Sequence, residues 1–132
     1  MAGAASFENV LLSTSMTVSG DNLSAVTDKF VFVKCGDAAN DVVPCDANTA
    51  PLGVNQEIAS DGNDIAIALI GISKIRLAGT VKRGNMMKPT GSITGGAIVS
   101  LRVALPMGAM ALMDGDSGDV IACLLTPGCA GS

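Results

Sequence analysis

The chain has 132 residues, 48% of them apolar and only 2% aromatic, with a formal net charge of −4. That length fits one domain able to bury a core without metal or disulfide staples. The acidic balance excludes the basic footprint that nucleic-acid binding needs, and with no Trp or Tyr there is no stacking platform for bases.

Residues 1–20 read as an extended N-terminal arm with Glu8 its only charge. Phe7, Val10, Leu11 and Leu12 are its apolar points, spaced so that an extended segment drops them into pockets on a neighbour. Alone, the arm has too little to bury against an ordering cost of about 1–2 kcal/mol per residue, so the expectation is order only on a partner. No basic n-region opens the chain, and no apolar run reaches membrane-spanning length, so neither a targeting segment nor a membrane partner is expected.

A single β-domain is expected over 21–132. Phe30-Val31-Phe32-Val33 reads as a strand buried on both faces, and a turn over Gly36–Asp41 leads into Val42-Val43. Ile65 to Leu69 alternates large and small, and Ile72 to Leu77 reads as a second, half-exposed strand ending at Ala78-Gly79. Arg83-Gly84-Asn85 is a turn, and a loop over Pro89–Gly96 precedes the apolar run Ala97–Leu105. Val120–Leu125 closes the domain. Sixteen glycines and frequent turns, without a sustained helical period, predict an all-β chain, a small β-barrel or β-sandwich.

The chain also repeats itself at an offset of 55 residues. Ala50-Pro51-Leu52-Gly53-Val54 matches Leu105-Pro106-Met107-Gly108-Ala109, and Asp61-Gly62-Asn63-Asp64 matches Asp116-Ser117-Gly118-Asp119. Turn residues recur while apolar ones drift, which is how a duplicated backbone looks when its turns are the sharply specified part. Two pseudo-repeated modules are predicted, about 21–75 and 76–130. The two aspartate segments become matching tight turns, whose third residues (Asn63, Gly118) accept positive φ.

Local signals for chemistry are weak. Gly115-Asp116-Ser117-Gly118 has the form of a serine-protease nucleophile motif, but the chain has no histidine to take the serine proton. The acidic run Asp114–Asp119 is out of step with a calcium loop, since Leu125 stands where the closing glutamate belongs. No catalytic, metal or cofactor-binding residue is therefore assigned. Cys35, Cys45, Cys123 and Cys129 lack metal-type spacing and read as small hydrophobes. Bridges Cys35–Cys45 and Cys123–Cys129 stay open. Asn85-Met86-Met87-Lys88-Pro89 resembles the Met-Lys-Met hairpin of biotin carrier domains, with Pro89 in place of the second methionine. Lys74, Arg76, Lys82, Arg83 and Lys88 fall close together in sequence and are either a solvated face or a patch for an acidic protein partner.

The stretches Ala50–Val54, Asp64–Gly71, Gly79–Asn85 and Gly118–Leu125 together resemble tailed-bacteriophage capsid decoration (cement) proteins, over roughly Leu23 to Gly128. The resemblance implies a β-tulip-like fold and a non-enzymatic protein. It further implies homotrimers on the outer capsid surface of the virion, made in the host cytoplasm, whose partner is the major capsid protein. In such a protein the candidate contacts are Phe7, Val10, Leu11, Leu12, Lys74, Arg76, Lys82, Arg83 and Lys88. The alternatives are a carrier domain modified at Lys88 and a head-surface adhesion appendage, the latter disfavoured by the missing Trp and Tyr.

Overall fold

The computed structural model of the chain describes residues 9–47, 49–90, 95–100 and 108–126. It is all-β, with nine strands in one continuous sheet: β1 Asn9–Val18, β2 Phe32–Cys35, β3 Asp41–Pro44, β4 Gly53–Asn55, β5 Asp64–Arg76, β6 Met86–Pro89, β7 Ala97–Val99, β8 Ala109–Ala111 and β9 Val120–Leu125. Among the described residues the only helical turn is a 3-10 turn at Val26–Asp28.

The pairing order shows why so short a set of strands is stable. Neighbours run β1-β3-β2-β4-β5, and β1 pairs again with β5, so the first five strands close on themselves. From β5 the sheet continues β9-β8-β6-β7, and Ala97 of β7 bridges Leu77, one residue beyond β5, closing a second ring. Closure removes the open edges that would otherwise be left unpaired. The small-barrel expectation is met by two miniature barrels that share β5.

These barrels are copies of each other, strand for strand. The pairs Val54↔Ala68 and Asn55↔Ile67 reappear as Met110↔Leu124 and Ala111↔Cys123. Phe32↔Val54 reappears as Met86↔Met110, and Val33↔Pro44 as Met87↔Val99. The antiparallel ladder from Met16↔Ile65 to Ser13↔Ala68 reappears as Ile75↔Ile121 to Ile72↔Leu124. Even the parallel pair Val18↔Val42 has its counterpart in Leu77↔Ala97. The first half of β5 thus ends the first copy, and its second half begins the next.

Two expectations change as a result. The offset is not a constant 55: it is 59 for Val18 and Leu77, 54 for Val33 and Met87, 55 for Val42 and Ala97, and 56 for Ile65 and Ile121. The drop from 59 to 54 reflects a longer β1–β2 connection, the one that carries the 3-10 turn. The junction between copies also falls inside β5 near Gly71, not between 75 and 76. There φ is +116, and a Cβ would collide with the Asn9 carbonyl.

Each barrel has its own core. In the first, Val18, Val33, Val42, Ile65 and Ile67 point inward; in the second, their equivalents Leu77, Met87, Ala97, Ile121 and Cys123 do the same. All ten are at most 2% exposed, each large side chain contributing about 1.5–3 kcal/mol of transfer free energy. The second cluster also takes in Phe32, Val54 and Ala68, which lie on the outside of the first barrel and fuse the two bodies.

One turn design recurs at Ser60–Asn63, Lys82–Asn85 and Asp116–Asp119. The fourth residue's N–H donates to the first residue's carbonyl, at 3.2, 3.0 and 3.0 Å. The third residue is glycine with φ of 85°, 89° and 91° (Gly62, Gly84, Gly118), as a type II turn demands. Each such glycine donates to Val18, Ala111 or Leu77, and the same residue donates back to the next residue's carbonyl. The first turn therefore starts at Ser60, so Gly62 and not Asn63 takes the positive φ.

Three further expectations are revised. Ile65–Leu69 and the stretch from Ile72 to Arg76 belong to one thirteen-residue strand, with Leu77 just beyond its end. The strand read at Phe30–Val33 starts at Phe32, because Phe30 has φ of +62°. From Asn9 onward the segment read as an arm is β1, hydrogen-bonded along β5 and buried at Val18. Local composition missed this because the strand's partners lie some fifty residues away.

Candidate interaction surface

The candidate contact residues do not form one surface. Phe7 lies outside the described residues. Val10 is half-buried and packs on the second core cluster, whereas Leu11 and Leu12 are 71% and 49% exposed. Leu12 sits opposite Ile70, itself 44% exposed.

The basic residues divide into three places. Lys74 and Arg76 lie on the outer side of β5, opposite Ala122 and Val120. Lys82 and Arg83 are exposed in the turn before β6, where the Arg83 N–H donates to Asp114 Oδ1 at 2.8 Å. Lys88 is in β6 opposite Ile98, and β9 and β8 separate it from β5. A biotin-accepting lysine belongs at a hairpin tip, whereas Lys88 is half-buried in the middle of a strand pair. The carrier-domain alternative is therefore dropped.

Around Arg76 the structure assembles a group that the sequence did not reveal. The Phe30 ring has Lys29 Nζ at 5.0 Å and Lys74 Nζ at 5.6 Å from its centroid, both within cation–π range. The Arg76 guanidinium donates toward the carbonyls of Lys29, Val26 and Gly118 at 3.4, 3.4 and 3.5 Å, tying the 3-10 turn to the 116–119 turn. Asn55 holds the backbone beneath. Its Oδ1 accepts from Val31 N–H at 2.9 Å, and its Nδ2 donates to the carbonyls of Asp28 and Glu57 at 2.8 and 2.9 Å. Phe30 N–H and Arg76 N–H close the frame through the Asn55 and Phe30 carbonyls. These bonds over-determine a left-handed conformation that costs a non-glycine residue about 1–2 kcal/mol. The available signal was a lone amide in the apolar segment Gly53–Asn55, at the position where the second module has Ala111.

A second feature is apolar. Register places Ile72, Leu124, Met110 and Met86 side by side across β5, β9, β8 and β6 on the outer face of the second barrel. Leu124 is 40% exposed and the other three are half-buried.

The thiols offer little reactivity. Cys45 and Cys123 are buried, and burial pushes them up to about 11 and about 12, so neither supplies a thiolate near neutrality. Cys35 is exposed at the end of β2 opposite Val42, whereas Cys45 follows β3 at the far end of the hairpin. All three are unbridged, so the Cys35–Cys45 bridge is not formed. The other possible bridge involves Cys129, outside the described residues. Ser117 occupies an exposed turn whose Asp116 N–H donates to Asp119 Oδ2 at 2.9 Å.

No family model and no curated protein matches the sequence. Among solved structures the chain is similar to the head fiber gp8.5 N base of bacteriophage phi29, with a TM-score of 0.68 over 87% of this chain and 93% of that one. Sequence identity is 12%, so the likeness is one of fold.

Proposed function

We propose that this chain is a structural protein of a bacteriophage head, decorating the capsid exterior as a homotrimer that bridges neighbouring major capsid proteins. The observation that carries the reading is the fold likeness to a head-fibre base across nearly the full length of both chains. The sequence resemblance to capsid decoration proteins points the same way. Exposed Leu11, Leu12, Ile70 and Leu124 give the surface apolar contact points of the kind that mark assembly partners.

In this reading attachment needs no catalytic group or cofactor. Each trimer presents three copies of a modest contact, and effective concentration converts them into slow dissociation, by factors on the order of 10²–10⁴ over one contact. Lys74, Arg76, Lys82, Arg83 and Lys88 supply charge for acidic capsid surfaces from three places and not from one strip. The first barrel, closed by β1, is a rigid body that transmits load between the subunits it bridges.

Cryo-electron microscopy of the purified protein mixed with empty shells of its own source tests this. Three-lobed density on the outer surface, over junctions between capsid subunits, is the expected result. Bare shells at saturating protein would refute the reading, and single-lobed density would refute its trimeric part.

A further inference from the structure

We infer that the row Ile72–Leu124–Met110–Met86 is the surface on which a second copy of this chain docks, an inference that rests on the self-association in the proposed function. The duplication itself carries the argument. By the strand equivalence, Met86 stands where Phe32 stands in the first barrel, Met110 where Val54 stands, Leu124 where Ala68 stands, and Ile72 where Ser13 stands.

In the first barrel three of these four positions form an interface, while Ser13 on β1 is exposed. Phe32, Val54 and Ala68 are each 0% exposed and belong to one cluster with Ala109, Leu125 and Cys123 of the second barrel. Packing there is tight enough that a Cβ on Gly108 would collide with the Phe32 ring. The second barrel presents the same row of four strands, with apolar residues at all four positions, and no third module follows within the described residues to cover it. Adjacent strands are about 4.8 Å apart, so the row spans about 14 Å, and Ile70 and Leu12 prolong it along β5 and β1.

What fits this row is indicated by what already covers its twin: a barrel of this same architecture. A second copy brings such a barrel with it. Met86 and Met110 replace Phe32 and Val54, and unbranched thioether side chains adapt to a surface that is similar but not identical. A contact between the outer row of one copy and a different face of the next is heterologous, and such a contact closes into a ring when its rotation allows.

Sedimentation equilibrium over a concentration series, on the full chain and on Leu124→Lys and Met110→Lys, is the test. A lysine at these solvent-reaching positions leaves both barrel cores intact, which circular dichroism checks, and Ala39→Lys in the exposed β2–β3 turn controls for added charge. Each row variant is expected to weaken self-association at least tenfold, with Ala39→Lys unchanged. A photo-crosslinker at position 124 should, in addition, join two copies. Undiminished association of both variants, or no crosslink between copies at 124, overturns the assignment while leaving self-association standing. A chain that stays monomeric at every concentration overturns both, and shell binding is then judged by microscopy alone. Variants that assemble normally yet no longer bind shells would assign the row to the capsid protein and overturn the inference.

Discussion

Replacing Asn55 by alanine should cost about 2–4 kcal/mol, a large share of the 5–15 kcal/mol typical of a domain. The side chain makes three hydrogen bonds: one from Val31 N–H, and two to the carbonyls of Asp28 and Glu57. A typical hydrogen bond contributes about 0.5–1.5 kcal/mol net, and a buried donor left without a partner costs about 1–3 kcal/mol. Val31 is 1% exposed, so its N–H would have no water to turn to. The strand itself should not suffer, because the equivalent position of the second module is Ala111, paired in the same register. The damage should be local, releasing the segment from Val26 to Val31 and with it the left-handed Phe30 between Lys29 and Lys74. Urea denaturation would measure the loss, and hydrogen exchange at residues 29–31 would locate it. A loss below about 0.5 kcal/mol with those amides still protected would refute the assignment of Asn55 as the anchor of that segment.

Gly118→Ala should destabilise by about 1–2 kcal/mol through backbone strain alone, since φ is +91° and a Cβ there meets nothing within 4 Å; Gly118→Asn should lose less, and thermal melts would compare them. Removing residues 1–18 deletes β1 and opens the first barrel, so that variant should lose cooperative unfolding, whereas a chain lacking only residues 1–8 keeps every described strand. Because Cys45 and Cys123 hold their protons to about 11 and about 12 when folded but ionise near 9 when unfolded, stability should be full below pH 9 and decline above it. The slope should be about 1.4 kcal/mol per pH unit for each thiol, measurable as urea midpoints at pH 8 and 10. In a Cys129→Ser background, a thiol reagent should label Cys35 at once and the two buried thiols only on unfolding.

The sequence by itself determined the all-β class, the short turn-punctuated strands and the existence of a duplication. Each is written locally: Gly62, Gly84 and Gly118 meet a φ that other residues avoid, and β9 is an unbroken apolar run of six residues. Tertiary structure alone decided how the copies are joined. Ile65–Leu69 and Ile72–Leu77 look like two strands because Gly71 interrupts the pattern, yet the backbone from Asp64 to Arg76 runs through as one shared strand. Asn9–Val18 looks like a tail because its apolar residues follow neither a strand nor a helical period, and it becomes a barrel stave only when the edge of β5 pairs with it. Five basic residues that are neighbours in sequence are parted because β9 and β8 come between β5 and β6. The apolar row across β5, β9, β8 and β6 draws its members from 72, 124, 110 and 86, so no window of sequence contains it. Turns are fixed by the φ and hydrogen bonds of four consecutive residues. Strand sharing, closure and cross-strand rows depend on register between distant segments, which is settled only when the apolar faces are buried together.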